Sequence, residues 1–397
     1  MRPRTRHWTA VPALLAGALT WGCADAPTRP VSPPRAQLTA VKFWDDVATL
    51  RWNERAVRLL EAHNTPTPIP NGQAAASRIL TYLSLAQYRA AVAAEAASRG
   101  SNGPSASAAV GGASVAVLSS FFPSDASTLE ATLDADLDAP GWPGDKHRDR
   151  SAGEAIGRTI AVAVLQRAAG DNYLKTPTGT PPVGDGYWVS NGTPIVPSLH
   201  GVQPFFLSSA SQLRKDPPAF RSKAFDDALL EIRQISDTLN DAQLKLALLW
   251  ATGMGAFTIS AVNLKADSII RVHKSTELEA ARILAYGNVA TFDAQIACWD
   301  SKLTYWYLRP SQADPAIKRR IPQPNHPSYP SGHSCVTSGI MSVVADAFPT
   351  DRAEIERIIA AAGLSRMYGG IHYRFDVEAG QAIGRGAAAL ALAGKLE

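Results

Sequence analysis

The sequence contains few cysteines: three among 397 residues, at positions 23, 298 and 335. A set this small cannot form the disulfide framework that holds small exported domains together. Cys298 and Cys335 could be two buried thiols, or could form one bond if the chain folds in an oxidising compartment. The fold must therefore rest on a hydrophobic core, for which the length and the 46% share of apolar residues suffice.

The sequence also has little net charge, +4 in total. Arg2, Arg4 and Arg6 supply most of that excess, within 22 residues that include no acidic residue. The rest of the chain is thus nearly neutral overall. This balance gives no indication of nucleic-acid binding, although basic residues could still be concentrated in one site.

Beyond residue 22 no apolar run is long enough to span a membrane. The basic start and the short apolar stretch 8–21 predict an export signal over residues 1–22. Cys23 comes next, which predicts lipoprotein processing with a lipid anchor at Cys23; simple cleavage shortly after it is the alternative. Residues 23–36 contain four prolines and are typical of a tether. We therefore expect an exported bacterial protein, periplasmic or associated with the outer membrane, whose only membrane attachment is that lipid.

Strand patterns and internal repeats are missing, and helical periodicity dominates. Residues 170–204 interrupt it with many prolines and glycines, and a loop of that length usually covers or forms a functional site. We predict one all-α helical-bundle domain over residues 37–397. The predicted helices are 41–63, 74–98, 110–122, 124–137, 152–169, 225–239, 241–251, 276–307 with a break near Gly287, 335–347, 351–365 and 377–393.

The first chemical motif is a pair of cations near the end of a predicted helix. Lys302 and Arg309 are seven residues apart, so they share one helical face, and no acidic residue separates them. Pro310 disfavours helix at Arg309, which places the arginine at the helix end. Two such cations suit an anion, although a solvated basic face has the same pattern.

The second motif is Ser331-Gly332-His333 at the start of an apolar helical run. Ser331 is a candidate N-cap, and Gly332 leaves its backbone amide accessible. A helix N-terminus of this kind binds oxyanions readily, and His333 would lie beside the anion. A plain serine cap with an incidental histidine is the alternative.

The third motif combines Arg366, His372 and Asp376. If a helix begins at His372, Asp376 lies one turn further and could hold the imidazole in one tautomer. Arg366 offers a planar fork for an oxyanion. A surface His–Asp pair at a turn is the alternative.

Together, the three motifs within residues 302–376 resemble the type 2 phosphatidic acid phosphatase and vanadium haloperoxidase superfamily. Its pattern is Lys-x6-Arg-Pro, Pro-Ser-Gly-His and Ser-Arg-x5-His-x3-Asp, and every position is met. Weaker likeness over residues 188–218 and 292–300 resembles the soluble haloperoxidase-like branch. The resemblance implies the helical-bundle fold of that superfamily.

The resemblance also implies roles for individual residues. His372 would ligate vanadium or attack phosphorus, His333 would act as acid and base, and Asp376 would orient His372. The oxygens of vanadate or phosphate would be neutralised by cations and hydrogen-bond donors: Lys302, Arg309, Ser331, the Gly332 amide and Arg366.

Two activities follow from this resemblance. A haloperoxidase would use vanadate as cofactor and oxidise halide with hydrogen peroxide. His326 stands where chloride-oxidising members carry Phe and bromide-oxidising members carry His, so the halide site would favour bromide or iodide. An exported acid phosphatase would instead hydrolyse a phosphomonoester through a phosphohistidine, without vanadium. Chain length and the run 323–330 favour the haloperoxidase, and an oxyanion-binding lipoprotein without catalysis is a third possibility.

Overall fold

The computed structural model describes residues 47–63, 72–98, 103–139, 148–173, 180–195, 199, 201–252 and 256–396. The predicted export signal, Cys23 and the tether 23–36 lie outside the described residues, as does the predicted start of the domain at residue 37. Residues 46–397 form one unit.

The described residues contain α-helices and no β-strand, which confirms the all-α fold class. None of the described helices is both long and apolar enough to cross a membrane. The helices are α1 Ala48–Ala62, α2 Gln73–Ala97, α3 Ala106–Phe121, α4 Ala126–Asp138, α5 Arg150–Gly170, α6 Lys223–Thr238, α7 Asp241–Leu249, α8 Ala256–Val272, α9 Glu277–Tyr305, α10 Pro310–Ala313, α11 Gly332–Ala347, α12 Arg352–Tyr368 and α13 Arg374–Ala393.

Helix α9 lies in the middle of the bundle and packs against α2, α11 and α13. Nearly every residue between Ala280 and Lys302 is buried, as expected for a helix that is covered on all sides. The helix ends at Tyr305, and Trp306 adopts the left-handed conformation with φ 47°. This reversal directs the chain from the end of α9 towards Arg309, so the prediction that Lys302 and Arg309 share one helical face is wrong.

The predicted break of α9 at Gly287 is wrong, because the helix runs through it. A Cβ at Gly287 would lie 2.8 Å from Cγ1 of Ile340 on α11. The glycine therefore allows α9 and α11 to approach each other closely. Helix α8 was not predicted, because its buried face carries Asn263 and Asp267, which are hydrogen-bonded to Asn288 and Asn53.

Helices α11 and α13 approach closely near their N-terminal ends. A Cβ at Gly380 would lie 2.5 Å from the carbonyl oxygen of Ser331, so only glycine fits there without a shift. The close contact places the starts of α11 and α13 side by side, next to the C-terminal end of α9. The three chemical motifs lie at these helix ends.

Candidate oxyanion site

The structure brings the three motifs into direct contact. Arg309 donates from NH1 to the Ile371 carbonyl at 2.7 Å and to Nε2 of His372 at 3.1 Å. The Ser331 amide donates to the Asp376 carbonyl at 2.9 Å. Segments that are far apart in the sequence thus form one cluster, in which Arg309, Ser331, His372 and Asp376 are all buried.

The His372 ring is held in one tautomer. Its Nδ1 lies 2.8 Å from Oδ2 of Asp376, and the pair is almost fully buried. Because Arg309 can only donate, Nε2 of His372 must accept, and Nδ1 carries the proton towards the carboxylate. The Nε2 lone pair therefore faces Arg309, and it could act as a ligand or a nucleophile once an anion replaces that hydrogen bond.

Asp376 orients His372 from a position inside helix α13. The helix begins at Arg374, so the expectation that His372 starts it is wrong, although the His–Asp contact is present. The same Oδ2 accepts from the Tyr373 amide at 3.2 Å and from Ser328 Oγ at 2.6 Å. The carboxylate thus caps its own helix while it holds the imidazole.

Arg309 is fully buried, and most of its N–H groups donate hydrogen bonds to other groups of the protein. Besides its bonds to residues 371 and 372, its Nε donates to the His326 carbonyl at 3.1 Å, and NH2 donates to His326 Nδ1 at 3.0 Å. The His326 ring also packs edge-on against Trp299, with centroids 5.0 Å apart. The halide-site candidate is therefore in contact with the oxyanion cluster.

Lys302 is also fully buried, and three backbone carbonyls surround its ammonium group. Nζ donates to Pro327 at 2.9 Å, Ser328 at 2.8 Å and Pro330 at 2.5 Å. An ammonium group has three protons, so no donor is left for an anion in this arrangement. Lys302 fixes the loop before Ser331 and supplies charge, whereas its expected direct contact with an oxyanion would require rearrangement.

Arg366 has the largest unused donor capacity of the three cations. Nε donates to Ser365 Oγ at 3.2 Å and NH2 to the Ala247 carbonyl at 3.2 Å. Its remaining three N–H groups make no hydrogen bond to the described residues. A buried guanidinium with unused parallel donors is suited to an oxyanion.

Ser331 occupies the N-cap position of α11, but its side chain does not cap the helix. Its Oγ is buried and has no hydrogen-bond partner among the described residues. The expected serine cap is thus wrong, and the hydroxyl is free for a ligand. The first amides of α11, beginning with partly exposed Gly332, have no acceptor within the helix. Both features favour an anion at this helix end.

His333 lies in the first turn of α11, partly exposed. Its Nε2 donates to the Trp250 carbonyl at 3.0 Å, because a carbonyl can only accept. This leaves Nδ1 unprotonated in the neutral ring, with a lone pair that can take up a proton.

The three cations form no ion pair with any carboxylate in the described ranges. Burial lowers the pKa of Lys302 to about 8 and that of Arg309 to about 10. Burial also lowers the pKa of Arg366 to about 9, and repulsion from the Arg309 charge contributes to this shift. All three remain charged near neutral pH. The buried carboxylate of Asp376 offsets only one of these three charges, and burying the excess positive charge is costly, so the cluster favours a bound anion.

Burial also lowers the pKa of each site histidine well below its ordinary value, and nearby cations lower it further. For His372 and His326 these cations are mainly Lys302 and Arg309, and for His333 the largest is Arg366. Burial raises the pKa of Asp376 to about 6, so the carboxylate is still ionised near neutral pH. The imidazoles are therefore neutral in the anion-free site.

Several residues that contact the site residues are not part of the three sequence motifs. Ser328 holds Asp376, Trp250 holds His333, and Trp299 packs on His326. Ser328 falls inside the run that leads to Ser331, so proximity in sequence could have suggested it. Trp250 contributes only a backbone carbonyl from more than 80 residues upstream, and no sequence pattern indicates that.

The predicted loop 170–204 contacts the segments that carry the site. The Trp188 amide donates to the Trp306 carbonyl at 2.6 Å, and the Ile195 amide donates to the Asn325 carbonyl at 2.8 Å. The described part of this loop thus rests on the chain just before Arg309 and just before His326.

Comparison with known families agrees with this geometry. Residues 282–395, which include all three motifs, match the family described as the PAP2 superfamily. The chain contains a PAP2 superfamily domain. No curated protein matches the sequence.

Solved structures resemble the chain well beyond the PAP2 domain. A bacterial vanadium-dependent iodoperoxidase is 22% identical with a TM-score of 0.71, over 87% of this chain and 95% of that one. A bacterial vanadium-dependent chloroperoxidase in its apo form is 16% identical with a TM-score of 0.64, over 84% and 96%. Its holo form is 16% identical with a TM-score of 0.65, over 82% and 93%. At these identities the likeness concerns the fold, which is that of the vanadium haloperoxidases.

Proposed function

We propose that this protein is a vanadate-dependent haloperoxidase that oxidises bromide or iodide with hydrogen peroxide. One observation carries the proposal: three buried cations, Lys302, Arg309 and Arg366, lie close to His372 in a cluster with a single buried carboxylate, and Nε2 of His372 accepts from Arg309. The fold shared with an iodoperoxidase and a chloroperoxidase over most of both chains supports this choice of reaction.

The residues present fit vanadate. Arg309 and Arg366 would neutralise its charge, and His372 Nε2 would be the metal ligand. Lys302, whose ammonium group is bonded to the loop 327–330, would add positive charge without touching the anion. The unpartnered Ser331 hydroxyl and the Gly332 amide would donate to its oxygens. When bound, vanadate supplies the Lewis-acid activation of hydrogen peroxide towards halide.

In this proposal His333 moves the proton that halide oxidation requires. The neutral ring can accept a proton at Nδ1 while Nε2 stays bonded to Trp250. Asp376 keeps the His372 tautomer fixed, which prevents Nε2 from being protonated and lost as a ligand. Each histidine thus has a separate task.

His326 and Trp299 would set the halide preference. The His326 ring contacts the guanidinium of Arg309 and packs against Trp299, so a halide next to His326 would also lie close to a cation. Resemblance to bromide-oxidising members at this position supports bromide or iodide over chloride.

The test is to compare vanadate-loaded and vanadate-free protein with hydrogen peroxide and bromide, iodide or chloride. We expect oxidation of iodide and bromide that depends on vanadate, with little oxidation of chloride. A phosphomonoester such as 4-nitrophenyl phosphate is assayed alongside with the vanadate-free protein. Hydrolysis without any vanadate-dependent halide oxidation would refute the haloperoxidase proposal.

The alternative, a phosphatase of the PAP2 type, is favoured by the same unprotonated Nε2 of His372. That atom could attack phosphorus, with His333 protonating the leaving group. The pocket suits both reactions, because five-coordinate vanadate resembles a phosphoryl-transfer transition state. The paired assay distinguishes the two activities.

Vanadate and phosphate should compete for one site, because both need the same cations. Either anion should raise the melting temperature, with stabilisation of about 2.7 kcal/mol at a concentration of 100 times its Kd. Arg366→Gln should weaken both anions together, since this arginine has the most unused donors. Independent binding of the two anions, measured by equilibrium dialysis, would contradict a single site.

A further inference from the structure

A cavity of about 620 Å³ lies beside the segments that build the oxyanion site. Its wall includes Ser311, Gln312, Gln323 and Asn325. The Gln312 side chain accepts from the Arg309 amide at 3.0 Å, and Asn325 immediately precedes His326. The cavity and the candidate halide site therefore share two chain segments.

Hydrogen bonds between segments fix the cavity wall. Ser311 Oγ donates to Gln323 Oε1 at 2.9 Å, and the Gln312 amide group donates to the Val189 carbonyl at 2.6 Å. Asn325 accepts from the Asn191 amide at 2.9 Å. A wall tied together in this way can present a defined shape to a ligand.

The wall is mainly polar, with a smaller apolar part and one cation. Val189, two-thirds exposed, borders the cavity together with Pro315, Ile317 and Pro324. Arg319 also borders it, and no acidic residue does. Neither Arg319 nor its neighbours Lys318 and Arg320 form an ion pair with any residue that the structure describes. The Gln323 amide nitrogen likewise makes no hydrogen bond to the described residues.

We propose that this cavity binds a polar organic acid: a small ring or chain that packs on Val189, Pro315 and Pro324, with a carboxylate on Arg319. This inference deepens the proposed function, because the acid would be the organic acceptor of the oxidised halogen. For a phenolic acid, a carbon–bromine bond forms on the ring and the ring loses one proton. The bromine of hypobromous acid is transferred to this carbon. The hydroxyl group that it leaves behind takes up the ring proton and departs as water. The acid's carboxylate is unchanged and serves only recognition.

The probe is 3-(4-hydroxyphenyl)propionate, and its neutral methyl ester is the matched control ligand. Binding to the vanadate-free protein is measured by calorimetry or by saturation-transfer NMR, so the result requires no turnover. We expect the acid to bind more tightly than the ester. Arg319→Gln should weaken the acid about three- to five-fold, the scale of one partly exposed ion pair, and should leave the ester unchanged.

Arg320→Gln is the matched control variant, because it removes the same charge one residue away and does not line the cavity. It should leave binding of the acid nearly unchanged. Equal losses in the two variants would show general attraction by the basic stretch and would overturn the site. Failure of the acid to bind, or equal affinity for acid and ester, would also overturn it.

A second measurement separates this proposal from the proposed function. With vanadate, peroxide and bromide present, Arg319→Gln should raise the KM for the phenolic acid and leave the KM for bromide unchanged. If halide oxidation is absent altogether, the proposed function fails, while the binding result still decides whether the cavity holds an organic acid.

Discussion

His372→Ala is expected to abolish vanadate retention and to reduce turnover to background. The substitution removes the Nε2 lone pair that faces Arg309 and that Asp376 keeps unprotonated by binding Nδ1. Arg309 and Arg366 would still attract the anion, so weak phosphate binding should persist. The measurement is vanadium content after gel filtration together with halide oxidation.

Loss of fold must be distinguished from loss of the ligand. The substitution leaves an Arg309 N–H and the Asp376 carboxylate with one partner fewer, at a cost of about 1–3 kcal/mol. His273→Ala is the control, because His273 pairs with Asp351 away from the site and should retain vanadium. A folded His372→Ala protein with full vanadium content and activity would show that another residue is the ligand.

The sequence sufficed to predict most of the candidate cluster. The residue types and the short spacings within each motif indicated which side chains meet, and the contact between His372 and Asp376 is present. The helical geometry assumed for both pairs is wrong, because α9 ends at Tyr305 and α13 begins only at Arg374. The helical class could be predicted because apolar periodicity is strong in most segments. Helix α8 was not predicted, because its buried face carries Asn263 and Asp267, whose hydrogen-bond partners lie on other helices.

The roles of donors could not be predicted, because tertiary contacts decide them. Lys302 carries the expected charge, yet its three protons are donated to backbone carbonyls of the loop 327–330. Ser331 stands at the expected helix start, yet its hydroxyl is left free. In both cases the residue type was informative about the kind of site, and only the three-dimensional arrangement shows which atom remains available.

The pKa of His333 is lowered by more than the features that the sequence shows. A position at a helix N-terminus beside three cations, which the motifs indicate, already predicts a lowered pKa. In the structure burial is the larger cause, with repulsion from Arg366 second. Because the ring is neutral in the anion-free site, an incoming anion should raise its pKa, and binding should then be accompanied by proton uptake. Affinity should accordingly increase as pH falls through the pKa of the bound state.

His333→Ala is therefore expected to separate binding from catalysis. Vanadate should still bind, because Arg309, Arg366 and the His372 Nε2 are untouched, whereas the rate should fall by about 10²–10⁴, the usual scale for a lost acid–base group. The variant should also lose the proton uptake on anion binding, which calorimetry in buffers of different ionisation enthalpy detects. A variant that loses affinity and rate in equal measure, with proton uptake preserved, would show that His333 positions the anion and that another group carries the proton.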